Sequence, residues 1–111
     1  MGKYRSRLDI LADMLSIISD KARKTQIMYR ANLSYASLMK YLDELNKACL
    51  ARFEQGESCY VLTQKGFEFL DQYRNYLKQT KSAEKRISDV DSRRRALENL
   101  CSTSQRSEPA L

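Results

Sequence analysis

The sequence contains no histidine and no tryptophan, and only one proline and three glycines. Without histidine, Ser-His-Asp and Cys-His nucleophilic arrangements are excluded, and so are most zinc sites. The acidic residues are scattered, and none pairs with another in an apolar setting that favours general acid–base catalysis. Gly56 and Gly66 do not belong to a phosphate-binding loop. We therefore expect a protein that is not an enzyme and that holds no metal ion and no cofactor.

Cysteines and long apolar runs are also scarce. The three cysteines, Cys49, Cys59 and Cys101, are far apart, and no pair has the spacing of a zinc or redox motif. A set this sparse does not form a disulfide framework, which favours a reducing compartment. We expect Cys49 and Cys59 to pack as small core residues. No apolar run approaches the roughly 20 residues that a membrane-spanning helix requires, so the sequence predicts a soluble, cytoplasmic protein without a membrane partner.

Positive charge is in excess. There are 20 lysines and arginines against 14 aspartates and glutamates, which gives a formal net charge of +6 over 111 residues. This excess favours a polyanionic partner, although mixed charge also keeps ordinary proteins soluble. A chain of this length fits one domain of marginal stability, for which oligomerisation is a common remedy.

The N-terminal part of the chain has the pattern of two helices. Apolar residues recur at helical spacing over residues 6–19, where Ser6 and Asp9 have the spacing of a capping box. After a polar, basic connector, Thr25 is the predicted cap of a short second helix that ends at Arg30.

A third helix follows after a three-residue turn. Asn32 in this turn tolerates the left-handed backbone conformation that tight turns between helices often need. Ser34 is the predicted N-cap of the third helix. The inward stripe of this helix consists of Leu38, Leu42 and Leu45. The second and third helices together have the pattern of a helix-turn-helix.

The periodicity changes after the third helix. Residues 50–54 and 58–62 contain aromatic and β-branched residues and bracket a turn with Gly56, which predicts a β-hairpin. Thr63 is the predicted cap of a last helix over residues 64–101. The predicted fold class is therefore mainly α with a small β-hairpin (α+β), a winged helix-turn-helix with a long C-terminal dimerisation helix.

The last helix carries a seven-residue repeat typical of a coiled coil over about four heptads. The seam positions are Phe69, Tyr73, Tyr76, Thr80, Ala83, Ile87, Val90, Arg94, Leu97 and Cys101. Such a helix is roughly 55 Å long at 1.5 Å per residue, too long for a small domain to cover, so its seam needs a second copy of the chain. The predicted homodimer interface consists of Tyr76, Thr80, Ala83, Ile87, Val90, Arg94 and Leu97.

These patterns divide the chain into three parts. Residues 1–63 form the predicted winged helix-turn-helix domain, residues 64–101 form the dimeric coiled coil, and residues 102–111 form a serine-rich tail that we expect to be disordered. Within the long helix, Tyr73 and Tyr76 indicate that its first part packs on the globular domain.

The helix-turn-helix is the pattern that indicates a function. An α-helix fits the major groove of DNA when its inner face is anchored and small or polar residues point outward near its N-terminus. In the third helix the outward or edge residues are Ser34, Tyr35, Ser37, Lys40 and Tyr41. The alternatives are that Ser34 is only a cap and that Tyr41 belongs to the core.

Further residues are candidates for backbone contacts. The candidates beside the supporting helix and at the hairpin tip are Lys24, Thr25, Arg30, Arg52 and Gln55. Glu54 and Glu57 repel phosphate, which weakens the hairpin as a DNA contact. Lys3, Arg5 and Arg7 have the pattern of a basic arm, and the arginine run at 93–95 either touches DNA or forms a solvated surface.

Two segments carry a resemblance to a known family. They are residues 25–35, TQIMYRANLSY, and residues 60–66, YVLTQKG. Over residues 4–100 the chain resembles the small archaeal winged-helix DNA-binding proteins related to the Sulfolobus "ten-a" chromatin protein. The resemblance implies a long C-terminal helix paired in an antiparallel coiled coil. It also implies that residues 34–41 lie in the major groove and residues 25–30 beside phosphates.

We therefore expect a dimeric protein that binds double-stranded DNA, as a transcriptional regulator or a nucleoid-associated protein. The alternative is a winged-helix scaffold for protein–protein interaction without direct DNA binding, because a fold alone does not determine function. A third option, a ligand-sensing repressor, needs a pocket beside the coiled coil, and no polar cluster in the sequence defines one.

Overall fold

Six elements of secondary structure make up residues 5–102, the part of the chain that the computed structural model describes. In order they are α1 (Arg7–Ile18), α2 (Lys24–Arg30), α3 (Tyr35–Lys47), β1 (Ala51–Glu54), β2 (Cys59–Leu62) and α4 (Gln64–Cys101). The two strands pair antiparallel, with Ala51 opposite Leu62 and Glu54 opposite Cys59. The predicted fold class, a mainly α winged helix-turn-helix with a small hairpin and a long C-terminal helix, is confirmed.

The chain divides into two compact units, and the boundary falls inside α4. The winged-helix unit is Met1–Asn75 and the helical unit is Tyr76–Leu111. The sequence predicts the division earlier, at the start of α4. The difference arises because Leu70 is buried in the winged-helix unit and Phe69 and Tyr73 pack against the same core. The packing of Tyr73 confirms the prediction that the first part of the long helix lies on the globular domain. Of the predicted tail, only Ser102 is described, and Lys3 also lies outside the described residues.

The core of the winged-helix unit takes apolar residues from all of its helices and from the hairpin. Its largest fully buried side chains are Met14, Leu15, Ile18, Ile27, Leu38 and Leu45. Burying one such side chain stabilises the fold by about 1.5–3 kcal/mol relative to leaving it exposed. Among the described residues, no polar or charged residue is buried. α3 is therefore held mainly by its leucines.

Local hydrogen bonds form two of the predicted caps and the predicted turn. The Ser6 hydroxyl accepts from the backbone N–H of Asp9 at 3.1 Å, and the Asp9 carboxylate accepts from the N–H of Ser6 at 3.1 Å. The Ser34 hydroxyl accepts from the N–H of Ser37 at 3.1 Å. Asn32 has a φ of 56°, in the left-handed region. These parts of the prediction are confirmed because each depends on residues close in sequence.

The predicted cap of α2 is wrong. α2 begins at Lys24, so Thr25 lies within its first turn and not at the N-cap. The side-chain oxygen of Gln26 instead accepts from the backbone N–H of Arg23 at 2.9 Å. A glutamine at the third helical position can reach back to the cap residue in this way, as in a capping box.

The cysteines also differ in part from expectation. Cys59 is buried as predicted, but Cys49 is exposed. Cys49 has a φ of 61° in the turn between α3 and β1, outside the periodic patterns that bury residues in either element. In the hairpin turn the positive φ, 53°, belongs to Ser58 and not to Gly56.

The segment Thr63 to Gly66 attaches the start of α4 to residues 48–50, the turn that leaves α3. The Thr63 hydroxyl donates to the carbonyl of Cys49 at 2.6 Å and accepts from the N–H of Gly66 at 3.0 Å. The Lys65 ammonium donates to the carbonyl of Ala48 at 2.8 Å.

Gly66 also lies close to this turn. A Cβ on Gly66 would lie 2.2 Å from the carbonyl oxygen of Leu50. This part of the YVLTQKG motif therefore serves the packing of the fold.

Candidate nucleic-acid interface

α3 buries one face and exposes the other. Its leucines, Leu38, Leu42 and Leu45, are 1%, 2% and 0% exposed. Tyr35 is 62% exposed, and Ser34 and Lys40 are also exposed. The helix thus has the anchored inner face and the accessible outer face that insertion into a groove requires.

Ser37 and Tyr41 lie at the edge of this outer face, and both are half-buried. Tyr41 packs against the core, in line with the alternative that the sequence left open. The Lys40 ammonium lies 5.2 Å from the centroid of the Tyr41 ring, within the range of a cation–π contact. The ring of Tyr41 therefore helps to hold the ammonium of Lys40 in place.

Both α2 and α3 also expose residues that were absent from the predicted contacts. On α3 they are Ala36, Met39 and Asp43, and on α2 Tyr29 is 77% exposed. The Asp43 carboxylate lies 3.1 Å from the ammonium of Lys47. The exposure of these α3 residues could have been predicted from the sequence, because positions 36, 39 and 43 repeat at helical spacing on the side opposite the leucine stripe.

α2 carries further residues that the sequence predicts to contact DNA. Lys24 at its first turn is half-buried, and Thr25 and Arg30 are exposed. These predicted phosphate contacts lie at the two ends of α2, with the exposed ring of Tyr29 beside Arg30 in sequence. Their role in binding stays a prediction.

The charges of the hairpin are paired with one another or with the connector before α2. Arg52 lies 3.1 Å from Glu54, and the ammonium of Lys21 donates to Glu57 at 3.1 Å. The Lys21 bond lowers the pKa of Glu57, and the same bond raises the pKa of Lys21. Gln55 at the tip is exposed. The charges of Glu54 and Glu57 are thus compensated by nearby cations. The charge of Arg52, which the sequence predicts to contact DNA, is compensated by Glu54.

The N-terminal arginines are occupied within the fold and do not form a free basic arm. Arg5 donates to the carboxylate of Asp13 at 2.8 Å. Arg7 donates to the carboxylate of Glu44 in α3 at 2.6 Å. The expectation of a basic arm is therefore wrong for these two residues, because acceptors distant in sequence are brought beside them.

The helical unit carries the predicted dimer seam on an exposed surface. Tyr76, Ile87, Val90 and Leu97 are 55%, 69%, 64% and 63% exposed. The Thr80 hydroxyl donates to a backbone carbonyl one turn earlier at 2.9 Å, and Ala83 is exposed. Tyr73, in the winged-helix unit, is half-buried and donates to the Asp9 carboxylate.

The charged seam residue Arg94 is neutralised by neighbours on its own helix. Its guanidinium lies 3.0 Å from Asp91 and 3.1 Å from Glu98. Asp91 also lies 2.8 Å from Arg95. The seam therefore does not present an uncompensated positive charge at this position.

Residues 5–102 contain neither a cluster of metal ligands nor a membrane-spanning helix. No three His, Cys, Asp or Glu side chains lie together as ligands for a metal ion. None of the helices in this range combines the length and the apolar character that crossing a membrane requires.

Solved structures with this fold include DNA-binding proteins. Sso10a-2, a DNA-binding protein from Sulfolobus solfataricus, matches with a TM-score of 0.64 and 22% identity over 90% of this chain and 100% of that chain. ZitR of Lactococcus lactis in complex with DNA matches with a TM-score of 0.55 and 12% identity over 91% of this chain and 73% of that chain. ZitR alone has a TM-score of 0.53 and 16% identity over 91% and 76%. The resemblance to the Sulfolobus proteins is confirmed at the level of the fold.

The sequence of the chain matches a family model but no individual curated protein. No curated protein sequence matches the chain significantly. Residues 4–81, which are more than half of the chain, match the family model described as winged helix-turn-helix. The matched range contains the helix-turn-helix, the hairpin and the first part of α4. The chain therefore belongs to the winged helix-turn-helix family.

Proposed function

We propose that this protein is a homodimer that binds double-stranded DNA in the cytoplasm, as a transcriptional regulator or a nucleoid-associated protein. The observation that carries the proposal is α3, whose leucines are buried while Tyr35, Met39 and Lys40 stay exposed. Two proteins of similar structure support the proposal, since Sso10a-2 is a DNA-binding protein and ZitR was solved in complex with DNA.

The outer face of α3 offers groups for base edges as well as for phosphates. Lys40 can donate to the O6 and N7 of guanine or to a phosphate. Ala36 and Met39 provide apolar contact for the methyl group of thymine, and Asp43 can accept from the amino group of cytosine. The face is therefore suited to reading sequence in the major groove.

Residues of α2 and of the N-cap of α3 supply the contacts that fix the position of the protein on the duplex. Lys24 and Arg30 carry positive charge, while Thr25 and Ser34 carry hydroxyl donors. Contacts of these types to phosphate hold the register of the protein without reading sequence. We expect them to make affinity strongly dependent on salt, because neutralised phosphates release counterions.

The hairpin contributes little to affinity in this proposal. Arg52 is paired with Glu54 and Lys21 with Glu57, at 3.1 Å in both cases. A phosphate would have to compete with these carboxylates for the cations. Gln55 remains as a neutral donor at the tip, so the hairpin guides orientation more than it adds charge.

The exposed seam of the helical unit is the basis for the dimer. Ile87, Val90 and Leu97 are each more than 60% exposed. Their spacing follows the coiled-coil repeat, which a second copy of the same helix complements. The ion pairs of Arg94 with Asp91 and Glu98 lower the cost of having this arginine in the seam.

An antiparallel register matches large seam residues with small ones. When Ile87 lies opposite Val90 of the second copy, Ala83 lies opposite Arg94 and leaves room for its long stem. In the same register Tyr76 lies opposite the small Cys101. A parallel pair would instead bring each Arg94 against the Arg94 of the second copy, so that no small residue makes room for either long side chain.

A salt titration of DNA binding tests the proposal. Wild-type protein and the Lys40→Ala variant are titrated into a candidate operator and into a random duplex, with fluorescence anisotropy at several salt concentrations. If Lys40 neutralises one phosphate, its removal lowers affinity and reduces the slope of log K against log salt by about 0.9.

The matched control is Lys85→Ala, which removes the same charge from the helical unit and is expected to leave binding unchanged. Failure of the wild-type dimer to bind any duplex, or its release from heparin at low salt, contradicts the proposal. That result would favour the protein–protein scaffold instead.

A further inference from the structure

We propose that Arg5 is a positioning residue for α3, because its guanidinium holds the turn that joins α2 to α3. This inference rests on the proposed function and deepens it, since it concerns what orients the DNA-reading helix. It assigns Arg5 a role different from the phosphate contact that its place in a basic N-terminal segment suggests.

The guanidinium of Arg5 contacts two elements at once. One nitrogen donates to the Asp13 carboxylate of α1 at 2.8 Å. Another donates to the carbonyl of Ala31 at 2.8 Å and lies 3.4 Å from the carbonyl of Asn32. Planar, divergent donors of this kind are a property of arginine and not of lysine. The side chain therefore links α1 to the turn through charge-assisted hydrogen bonds.

The acceptors in the turn lie where α2 ends and the chain changes direction. Carbonyls in the last turn of a helix lack partners within the helix, so an outside donor is stabilising there. Ala31 is 2% exposed, and Asn32 has a φ of 56°. The backbone N–H of Leu33 then donates to the carbonyl of Met28 at 2.9 Å. The geometry of this turn sets the direction in which α3 leaves α2.

The segment that carries Arg5 is itself fixed. Ser6 forms the capping box of α1 with Asp9, and the Asp9 carboxylate also accepts from the hydroxyl of Tyr73. Arg7 adds a second link, from α1 to Glu44 of α3. Arg5 thus projects from an anchored backbone, which suits a residue that holds a turn.

The charge of Arg5 is already engaged within the fold. Its side chain is only 31% exposed and has an anionic partner, so a phosphate would have to displace Asp13. A residue that holds a recognition element is expected to influence affinity through geometry, because contacts at a site depend on its orientation within about 10–20°. This distinguishes Arg5 from Lys40, which is exposed on the outer face of α3.

The test compares Arg5→Ala and Arg5→Lys in the full chain, with Arg86→Ala as the control that removes an exposed arginine from the helical unit. DNA affinity is measured at several salt concentrations, together with the melting temperature and the amide hydrogen exchange of Leu33. Both Arg5 variants are expected to lose about tenfold in affinity, the scale of one charged hydrogen bond. The salt slope is expected to stay unchanged, and the Leu33 amide to exchange faster.

Two results overturn the inference. A salt slope that falls by about 0.9 in Arg5→Ala, with affinity retained in Arg5→Lys, would make Arg5 a phosphate contact. A lower melting temperature with unchanged affinity and unchanged Leu33 exchange would make its role one of general stability. If Arg5→Ala does not fold, Asp13→Asn weakens the same link more mildly and is subject to the same criteria.

Failure of the proposed function is separable from failure of this inference. If the wild-type protein binds no duplex, the DNA-binding proposal fails, while Leu33 exchange still reports whether Arg5 holds the turn. Faster exchange in the Arg5 variants would then support the positioning role, and unchanged exchange would overturn it.

Discussion

The winged-helix unit and the helical unit contain similar apolar side chains but differ in what covers them. In the winged-helix unit Leu38 and Leu45 are 1% and 0% exposed, whereas Ile87, Val90 and Leu97 of the helical unit are 69%, 64% and 63% exposed. Helical periodicity identifies an apolar face in both units. Whether that face is buried depends on whether other residues of the same chain pack against it. The winged-helix unit completes a core from its own residues, and we have proposed that the helical unit completes its seam with a second copy.

The largest expected effect is on the dimer. Replacing Ile87 and Val90 together by aspartate is expected to give monomers, because two carboxylates buried in the seam cost roughly several kcal/mol each when unpaired. Sedimentation or light scattering measures the change. The matched control is Ser88→Asp with Ser92→Asp, which adds the same charge away from the seam. A dimer that survives in the Ile87 and Val90 variant would contradict the proposed dimer, because the exposed face would then not be the interface.

Truncating one leucine in each unit tests the same difference in burial. Leu38→Ala is expected to destabilise the winged-helix unit by about 2–5 kcal/mol at any protein concentration, since it leaves a cavity in a packed core. Leu97→Ala is expected to act only through association, so its cost should depend on protein concentration. Denaturant unfolding at two protein concentrations separates the two cases, and a concentration-independent loss for Leu97→Ala would contradict our interpretation of the seam.

Alanine substitutions at Gly66 and Gly56 test how closely the start of α4 packs against its neighbours. Gly66→Ala is expected to destabilise the protein by about 1–3 kcal/mol, the usual cost of overpacking, because its Cβ would meet the Leu50 carbonyl oxygen at 2.2 Å. Gly56→Ala is the control, since nothing lies within 4 Å of its Cβ, and it is expected to change stability by less than about 0.5 kcal/mol. Equal melting temperatures for the two variants would show that α4 has room to move.

The smallest predicted effect concerns the link between α4 and α1. The Tyr73 hydroxyl is the largest cause of a lowered pKa for Asp9, followed by the Ser6 backbone N–H. A lowered carboxyl pKa stabilises the fold above the pKa of the unfolded chain, and this contribution is lost as pH falls through the folded value. Tyr73→Phe is therefore expected to cost about 1 kcal/mol at neutral pH.

The cost of Tyr73→Phe is expected to shrink below the ordinary pKa of Asp9, near 3.8. Thermal unfolding across pH measures this dependence, and Tyr29→Phe on the exposed surface is the control. No cost at any pH value would mean that the ring of Tyr73, and not its hydrogen bond to Asp9, is what α1 requires. A cost that does not change with pH would mean that the hydroxyl acts independently of the charge on Asp9.

The accuracy of the sequence-based prediction depended on how local each feature is. The capping box at Ser6 and the cap at Ser34 each join residues three positions apart, and both were predicted. Thr25 was misassigned because Gln26 competes for the same cap. Cys49 was misassigned because burial was inferred from residue type, and the turn after α3 leaves it exposed.

The candidate site followed the same rule. The leucine stripe of α3 located the outer face, and Ala36, Met39 and Asp43 could have been found from the same periodicity. The pairing of Arg52 and Glu54 joins near neighbours, but Lys21 and Glu57 are brought together only by the fold. No pattern along the chain indicates that pairing, so the neutrality of the hairpin could not be predicted.

The sequence by itself determined the helices, the hairpin, most caps and the apolar face of each helix, because these depend on residue type, backbone preference and spacing within a few turns. Only the tertiary contacts show that Leu70 of α4 is buried in the first core, that the Tyr73 hydroxyl donates to Asp9, and that Arg5 donates to the carbonyl of Ala31. Each of these contacts joins residues that are far apart in the chain. Their formation depends on how the elements pack, which the periodicity of any single element does not specify.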